Sequence, residues 1–323
     1  MSSVHVTQQG LSGRRRLRNS LGDKVFFGLA LLAALLAVAV MVLIAYRILR
    51  GAHLSYSTFG LSFLTDTTWD TNHNHFGAGA LLYGTAVTSA MALLIGGPFA
   101  IAIALFLSEL APGGVRGVVG SLVEMLAAVP SVVLGLWGIL VMGPFVAAHI
   151  EPWLHRWFGF IPLFSGDPNA SGIFIAGLIL AIMVVPIVAS ICRELFESVP
   201  QDQQDAALAL GATRWEMVRG VILGSSRSGI AAALILGLGR ALGEAIAVAQ
   251  VVGGLTRIDR SLFGPGDTLA ARIAEQFQGA VTKLQISSLF YLAAILLVIG
   301  LVTNLIALLI VRRAEAARAG AAA

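Results

Sequence analysis

Two opposite charges stand four positions apart within one apolar run of the sequence. Arg240 and Glu244 interrupt a stretch, residues 236–245, that otherwise contains only leucine, alanine and glycine. On a helix, this spacing places both side chains on one face. If the run lies in lipid, each charge costs about 2.5–3.5 kcal/mol at the helix centre. The pair therefore predicts a position that faces water, another helix or a permeating ion.

Two interpretations of this pair are open: mutual neutralisation between helices, or a path for an anion. The planar guanidinium of Arg240 offers paired donors to a tetrahedral oxyanion. The carboxylate of Glu244 can accept the P–OH proton that phosphate keeps near neutral pH, whereas sulfate has no such proton. The pair is thus suited to phosphate and repels sulfate. Ser131, which follows Pro130 in another apolar run, is a further candidate for the pathway.

Residues for other chemistry are scarce. The sequence has no Gly-x-x-x-x-Gly-Lys-Ser/Thr loop, so hydrolysis of ATP by that route must occur in another chain. His53, His73 and His75 have no acidic or thiol partners at metal-ligand spacing, and Cys192 is the single cysteine. We expect no catalytic residue, no metal, no cofactor and no nucleic-acid partner for this chain, because it also lacks a basic face with stacking aromatics.

The elements that must carry these residues are membrane helices. Hydrophobic residues make up 57% of the 323-residue chain and charged residues 12%, and the mean hydropathy is +0.87. These values indicate lipid as the solvent, in which a spanning backbone must bond within its own helix. We predict an all-α membrane protein with about six transmembrane helices. The apolar runs are 25–49, 80–107, 118–146, 173–192, 229–252 and 287–311.

The placement of basic residues predicts the orientation. Lys and Arg concentrate before the first run and on the side of the membrane that it shares with residues 193–228. The first run is too long for the apolar part of a signal peptide. We expect a multi-pass protein of the plasma (inner) membrane with both termini in the cytoplasm. The expected segments are a cytoplasmic N-terminal segment 1–24, a transmembrane domain 25–311 with a cytoplasmic coupling segment 193–228, and a cytoplasmic tail 312–323.

The cytoplasmic segment between the fourth and fifth runs carries a spaced motif. It reads as two short helices, the second opened by Thr213 with Glu216 three residues later, a capping box. Small residues allow close approach of a partner, and Gly211 permits a sharp turn. The candidate coupling residues are Asp205, Ala206, Ala207, Gly211, Ala212 and Arg214.

This motif resembles the cytoplasmic signature of ABC importer permeases. The family pattern is Glu-Ala-Ala, three residues, Gly, nine residues, then Ile, any residue, Leu-Pro. Here Asp205 replaces the Glu, Val221 the Ile and Gly224 the Pro, with the spacing kept. The resemblance implies the type I importer permease (MetI-like) fold and a coupling helix that docks on an ATP-binding subunit.

The run around Arg240 and Glu244, with Ala127–Val133 in the third run, is similar to the PstC-type permeases of phosphate-specific ABC importers. That resemblance, from about residue 84 to 310, implies that Arg240 and Glu244 take part in phosphate translocation. It also implies partners: a homologous PstA-like permease, two PstB-like ATP-binding subunits, a PstS-like extracytoplasmic phosphate-binding protein, inorganic phosphate and membrane lipid. The alternatives are an ABC permease for sulfate, molybdate or a sugar, or a proton-coupled secondary transporter that uses Glu244.

Overall fold

The computed structural model describes the backbone of residues 12–321 and the side chains of residues 22–312. The predicted N-terminal segment 1–24 and tail 312–323 therefore lie partly outside the described residues. The chain divides into two units, Met1–Arg50 and Gly51–Ala323. All packing discussed below belongs to the second unit.

The described elements are almost all helical. In chain order they are α1 Ser12–Phe59, β1 Trp69–Asp70, β2 His75–Phe76, α2 Gly79–Leu110, α3 Gly113–Ala128, α4 Ser131–Phe158, α5 Ile173–Glu197, α6 Gln201–Ala209, α7 Arg214–Leu242, α8 Ile246–Val251, α9 Leu269–Gln276 and α10 Lys283–Ala321. A 3₁₀ turn, Gly60–Leu64, extends α1. The two strands form an antiparallel hairpin in which Trp69 pairs with Phe76.

Six of the described helices are long and apolar enough to cross a membrane. They are Gly22–Leu64, Gly79–Leu110, Ser131–Phe158, Ile173–Glu197, Arg214–Leu242 and Lys283–Arg312. The predicted all-α membrane fold with about six transmembrane helices is confirmed. Helices dominate because lipid offers the backbone no hydrogen-bond partner outside its own segment.

Two predicted spans have the wrong bounds. The third run, 118–146, is not one helix: α3 ends at Ala128, and Val129 and Pro130 are extended with ψ of 126° and 136°. Proline lacks an N–H and disfavours helical geometry in the residue before it, so a new helix begins at Ser131 and continues to Phe158. The fifth run, 229–252, begins instead at Arg214 and stops at Leu242, before a separate short helix, α8.

The core is built around α5, the most enclosed of the spanning helices. Glycines allow its neighbours to approach closely. A Cβ atom at Gly96 of α2 would lie 2.8 Å from the Ala181 carbonyl oxygen. On the other side, a Cβ atom at Gly237 of α7 would lie 2.8 Å from Val184 and Val188. In lipid, the hydrophobic effect does not drive helices together. Van der Waals packing through small residues supplies the attraction between them instead.

A glycine on α4 makes the contact that seats α8, and it generates a stability prediction. A Cβ atom at Gly135 would lie 2.8 Å from the Ala247 Cα and 2.8 Å from Gln250 Oε1. We expect Gly135→Ala to push α4 and α8 apart and to destabilise the protein by about 1–3 kcal/mol. The measurement is the midpoint of thermal denaturation of the detergent-solubilised chain.

The matched control is Gly117→Ala on α3, where nothing lies within 4 Å of the added methyl group. Because alanine is the better helix former, this change should be neutral or stabilising by up to about 1 kcal/mol. Equal midpoints for the two variants would contradict the described contact between α4 and α8.

Candidate functional site

The fifth membrane span is broken where the intramembrane charges lie. Helix α7 ends at Leu242, Gly243 closes its last turn, and α8 begins at Ile246. The Glu244 side chain caps the new helix, since Oε1 accepts a hydrogen bond from the Ala247 backbone N–H at 3.2 Å. A carboxylate at a helix N-terminus is stabilised by free N–H groups and by the helix dipole. Sequence reasoning expected a continuous helix here and missed this break.

The Arg240–Glu244 pair forms at this break. Arg240 Nη2 lies 3.3 Å from Glu244 Oε2, and the exposed fractions of the two side chains are 48% and 5%. Glu244 is therefore enclosed by protein while half of Arg240 is open. Each oxygen of the Glu244 carboxylate makes one contact and keeps a further lone pair that can accept a hydrogen bond. The guanidinium has five N–H donors, most of them unused among the described residues.

Ser131 begins α4, the helix that packs against α8. Gly135 meets Ala247, and Gly138 meets Val251, whose Cγ1 would lie 3.0 Å from an added Cβ. The two helices thus run in the same direction, and Ser131 lies one turn before Gly135 on α4. Ser131 is half-buried, and no hydrogen bond of its hydroxyl group occurs among the described residues. Its role in the pathway stays a prediction.

Gln250 is a polar residue near the site that sequence reasoning missed. Its Oε1 atom is buried without a hydrogen-bond partner, against Gly135. An unpaired amide oxygen is costly in apolar surroundings. In the sequence, the feature that could have pointed to Gln250 is that it is the one amide residue in the otherwise apolar run Ile246–Val251. It adds a polar atom to the contact between α4 and α8.

The predicted coupling segment folds as two helices joined by a tight turn. Pro200 precedes α6, and Gly211 adopts a left-handed φ of +89°. The Ala212 N–H bonds to the Ala207 carbonyl oxygen at 3.1 Å, which closes the turn. The predicted capping box is confirmed: Thr213 and Glu216 exchange both hydrogen bonds at the start of α7. The signature residues therefore lie in one short, well-formed unit.

This unit presents side chains outward. Asp205, Ala206, Gly211 and Arg214 are exposed, whereas Ala207 and Ala212 are half-buried. Two large apolar residues that sequence reasoning did not select lie beside them: Leu210 is 90% exposed and Trp215 is 64% exposed. Exposed apolar residues grouped on a polar segment mark a protein interaction surface. We call Leu210, Trp215 and the exposed signature residues the coupling surface.

His73 and His75 each pair with a separate aspartate rather than forming a cluster. His73 Nδ1 lies 2.6 Å from Asp70 Oδ2, and His75 Nε2 lies 3.4 Å from Asp66 Oδ2, all on or beside the hairpin. The hydrogen bond that His73 donates to the Asp70 carboxylate raises the pKa of His73. Among the described residues, no three His, Cys, Asp or Glu side chains gather in a way that would hold a metal ion.

Known proteins share both the sequence and the fold. The family model for the binding-protein-dependent transport system inner membrane component matches residues 96–316. The phosphate transport system permease protein PstC of Mesorhizobium japonicum is 41% identical over 308 residues, 94% of each chain. The PstC of Xylella fastidiosa (strain Temecula1) is 40% identical over 317 residues, 97% of each chain.

Solved structures agree at the level of the fold. A bacterial ABC transporter involved in import of the acidic polysaccharide alginate aligns over 89% of this chain and 98% of its own, with a TM-score of 0.54 and 20% identity. The inward-facing MetNI methionine ABC transporter aligns over 73% of this chain and 96% of its own, with a TM-score of 0.51 and 19% identity. The chain belongs to the family of binding-protein-dependent transport system inner membrane components, and within it to the PstC-type permeases.

Proposed function

We propose that this chain is a permease subunit of an ATP-driven importer of inorganic phosphate, and that it forms part of the translocation pathway. The observation that carries the proposal is the Arg240–Glu244 pair at the break between α7 and α8. Half of the guanidinium is open, and the carboxylate is fixed from behind by a backbone N–H. The high identity to PstC proteins supports the same substrate. The chain is a transport subunit, not an enzyme.

The geometry of the pair explains selection of phosphate. The unused N–H donors of Arg240 can bind two oxygens of a tetrahedral anion. Glu244 cannot move away from the anion, because its other oxygen caps α8. A phosphate with one P–OH group can donate that proton to the Glu244 carboxylate in a hydrogen bond. Sulfate has no such proton, so the negative carboxylate would only repel it. Ser131, at the start of the helix that packs against α8, would add a hydroxyl group to the pathway.

The open side of the pair calls for a second membrane subunit. The residues around Arg240 on this side, Leu236 and Ile246, are also exposed. A charged side chain facing lipid would be unfavourable, so this face is completed by a homologous PstA-like permease that encloses an aqueous path. On the inner side, the coupling surface receives two PstB-like ATP-binding subunits, and outside a PstS-like binding protein delivers phosphate.

The orientation follows from charge and from the position of the coupling segment. Residues 193–228 would face the ATP-binding subunits in the cytoplasm, and the distribution of Lys and Arg over the whole chain favours the same side. With an even number of spans, we expect both termini on the cytoplasmic side of the inner membrane.

The alternatives are not favoured. A proton-coupled secondary transporter that uses Glu244 would need no ATPase and no coupling surface, yet this chain belongs to the family of binding-protein-dependent permeases. A sulfate, molybdate or sugar permease is disfavoured because relatives that cover nearly the whole chain are named for phosphate transport. The carboxylate at the break argues against sulfate and molybdate on chemical grounds as well.

Removing either charge of the pair tests the pathway. We expect Arg240→Gln and Glu244→Gln each to lower phosphate uptake by the assembled importer at least about tenfold, because each leaves the other charge without its partner. The measurement is uptake of labelled phosphate into vesicles, with the amount of assembled complex determined in parallel.

Arg257→Gln is the matched control, since this arginine lies in the outer loop with 73% of its side chain exposed and pairs only with Asp259 there. It should transport normally. Normal uptake by both pathway variants, at normal assembly, would reject the site.

An exposed residue tests the coupling surface without disturbing the core. Leu210 is 90% exposed, so Leu210→Arg should fold normally and yet weaken docking of the ATP-binding subunits more than about tenfold, as central apolar residues do at interfaces. Co-purification of the ATPase with the permease measures this. Val281→Arg, at an outer residue that is 87% exposed, is the control and should keep the ATPase. Full retention by Leu210→Arg would remove Leu210 from the interface.

A further inference from the structure

Two donors hold the end of α8, and a third holds the turn that follows it. The Gly172 N–H bonds to the Val251 carbonyl oxygen at 2.8 Å, and the Gly266 N–H bonds to the Val252 carbonyl oxygen at 2.8 Å. Arg272 Nη2 bonds to the Gly254 carbonyl oxygen at 2.9 Å. Arg272 is the only side chain among these donors, and a cation near a helix C-terminus is favoured by the dipole.

The chain leaves α8 through two glycines that make this contact possible. Gly253 and Gly254 have φ values of +91° and +70°, a conformation that other residues adopt only with strain. A Cβ atom at Gly253 would lie 2.6 Å from Pro265 Cβ, so the turn is also sterically closed. The turn brings the Gly254 carbonyl oxygen to the Arg272 guanidinium.

Arg272 is itself fixed in a buried network on α9. Its guanidinium forms an ion pair with Asp267, and the exposed fractions of these side chains are 8% and 0%. The Thr268 N–H donates to Asp267 Oδ1 at 2.7 Å. Burial raises the pKa of Asp267 to about 6, with Arg272 opposing the rise, so the carboxyl group is charged at neutral pH. A charge pair held this far from water has little freedom to move.

The same guanidinium lies against the extracytoplasmic hairpin. Its Cζ is 5.9 Å from the centre of the Trp69 ring, within the range of a cation–π contact. Trp69 is tied to α9 as well, because its Nε1–H donates to Gln276 Oε1 at 2.8 Å. Within the hairpin, Trp69 packs edge-on against Phe76. Arg272 therefore contacts both the hairpin and the loop that ends α8.

We propose that Arg272 is a positioning residue for transport: it sets the position of α8, and through α8 the position of Glu244 relative to Arg240. Helix α8 is six residues long, so a displacement of one end reaches the other undiminished. The effect can be large, since a misplacement of about 1 Å in a site can lower rates about a hundredfold. The transport role of Glu244 belongs to the proposed function, on which this inference rests.

The alternative hypothesis is that Arg272 is a purely structural residue that only holds α9 in place. In that case its substitution would lower the stability of the whole fold, and α8 would keep its position in any variant that still folds. The contact that distinguishes the two is the bond to Gly254. A lysine at position 272 keeps the positive charge beside Asp267, but its ammonium ends one bond short of Nη2 and lacks the planar fork.

The test measures the position of α8 without any substrate. Cysteines at Ile246, the first residue of α8, and at Leu236 on α7 are labelled with a thiol reagent in the assembled importer. Both positions are exposed in this chain on the face that, in the proposed function, borders the aqueous path enclosed with the second permease, and the single cysteine of the chain, Cys192, is buried. Arg272→Lys should change the labelling rate at 246 about tenfold or more, the factor for one lost charge-assisted hydrogen bond, and leave 236 within about twofold. Arg257→Lys should change neither.

A second variant and a transport readout complete the experiment. Trp69→Leu removes the ring beside Arg272 and should change labelling at 246 in the same direction by a smaller factor. The maximal rate of phosphate uptake by Arg272→Lys should fall about tenfold, while the half-saturating phosphate concentration should stay within about twofold. This pattern is expected when a substitution affects the transport step rather than the binding of phosphate. Unchanged labelling at 246 in both variants, or equal changes at 246 and 236, would overturn the proposal. If Arg240→Gln and Glu244→Gln transport normally, the proposed pathway fails, while the labelling result still decides the role of Arg272.

Discussion

Keeping an arginine and a glutamate within the membrane is the constraint on which the other features of this protein depend. Either charge alone would cost several kcal/mol in lipid, and an enclosed pair must be held in good geometry to recover that cost. The protein meets this demand by breaking the fifth span: Gly243 ends α7, and the Ala247 N–H at the start of α8 bonds to one oxygen of Glu244. The other oxygen faces a guanidinium that is only half covered. The break thus places open N–H donors of Arg240 beside a carboxylate that is held by the backbone, which is the arrangement that the proposed function assigns to phosphate.

The surrounding helices serve to hold α8, which is too short to be stable alone. On one side, Gly135 and Gly138 let α4 approach within contact of Ala247 and Val251. At its C-terminal end, backbone donors bind the Val251 and Val252 carbonyl oxygens, and Arg272 binds the Gly254 carbonyl oxygen in the following turn. The break in the third sequence run allows α4 to begin at Ser131 and to pack along α8. Short-range contacts thus connect α8 to Arg272 and, through Arg272, to the hairpin.

The number of spans, the capping box of segment 193–228 and the pairing of Arg240 with Glu244 could be predicted from the sequence, because each depends on local signals. These signals are long apolar runs, the capping box at Thr213 and two charges in an apolar stretch. Each can be recognised in the sequence without knowledge of tertiary contacts. The two breaks have no clear local signal: Gly243 is only a weak helix breaker, and a proline such as Pro130 is as compatible with a kink inside one helix as with a break between two. The roles of Gln250, Leu210 and Arg272 depend on contacts between residues distant in the chain, which no local pattern encodes. A basic residue in an outer loop looks solvated until the fold buries it against Asp267.

The most direct test asks whether the helix break lies on an aqueous path that phosphate occupies. A cysteine at Gly243 fits without clash, since the nearest atom to an added Cβ is the Gly239 carbonyl oxygen at 3.6 Å. In the assembled importer, this thiol should react with a membrane-impermeant reagent. Phosphate at about ten times its half-saturating concentration should slow the reaction about tenfold, by mass action, while equal sulfate should not. A thiol that does not react, or that reacts equally with and without phosphate, would contradict the account.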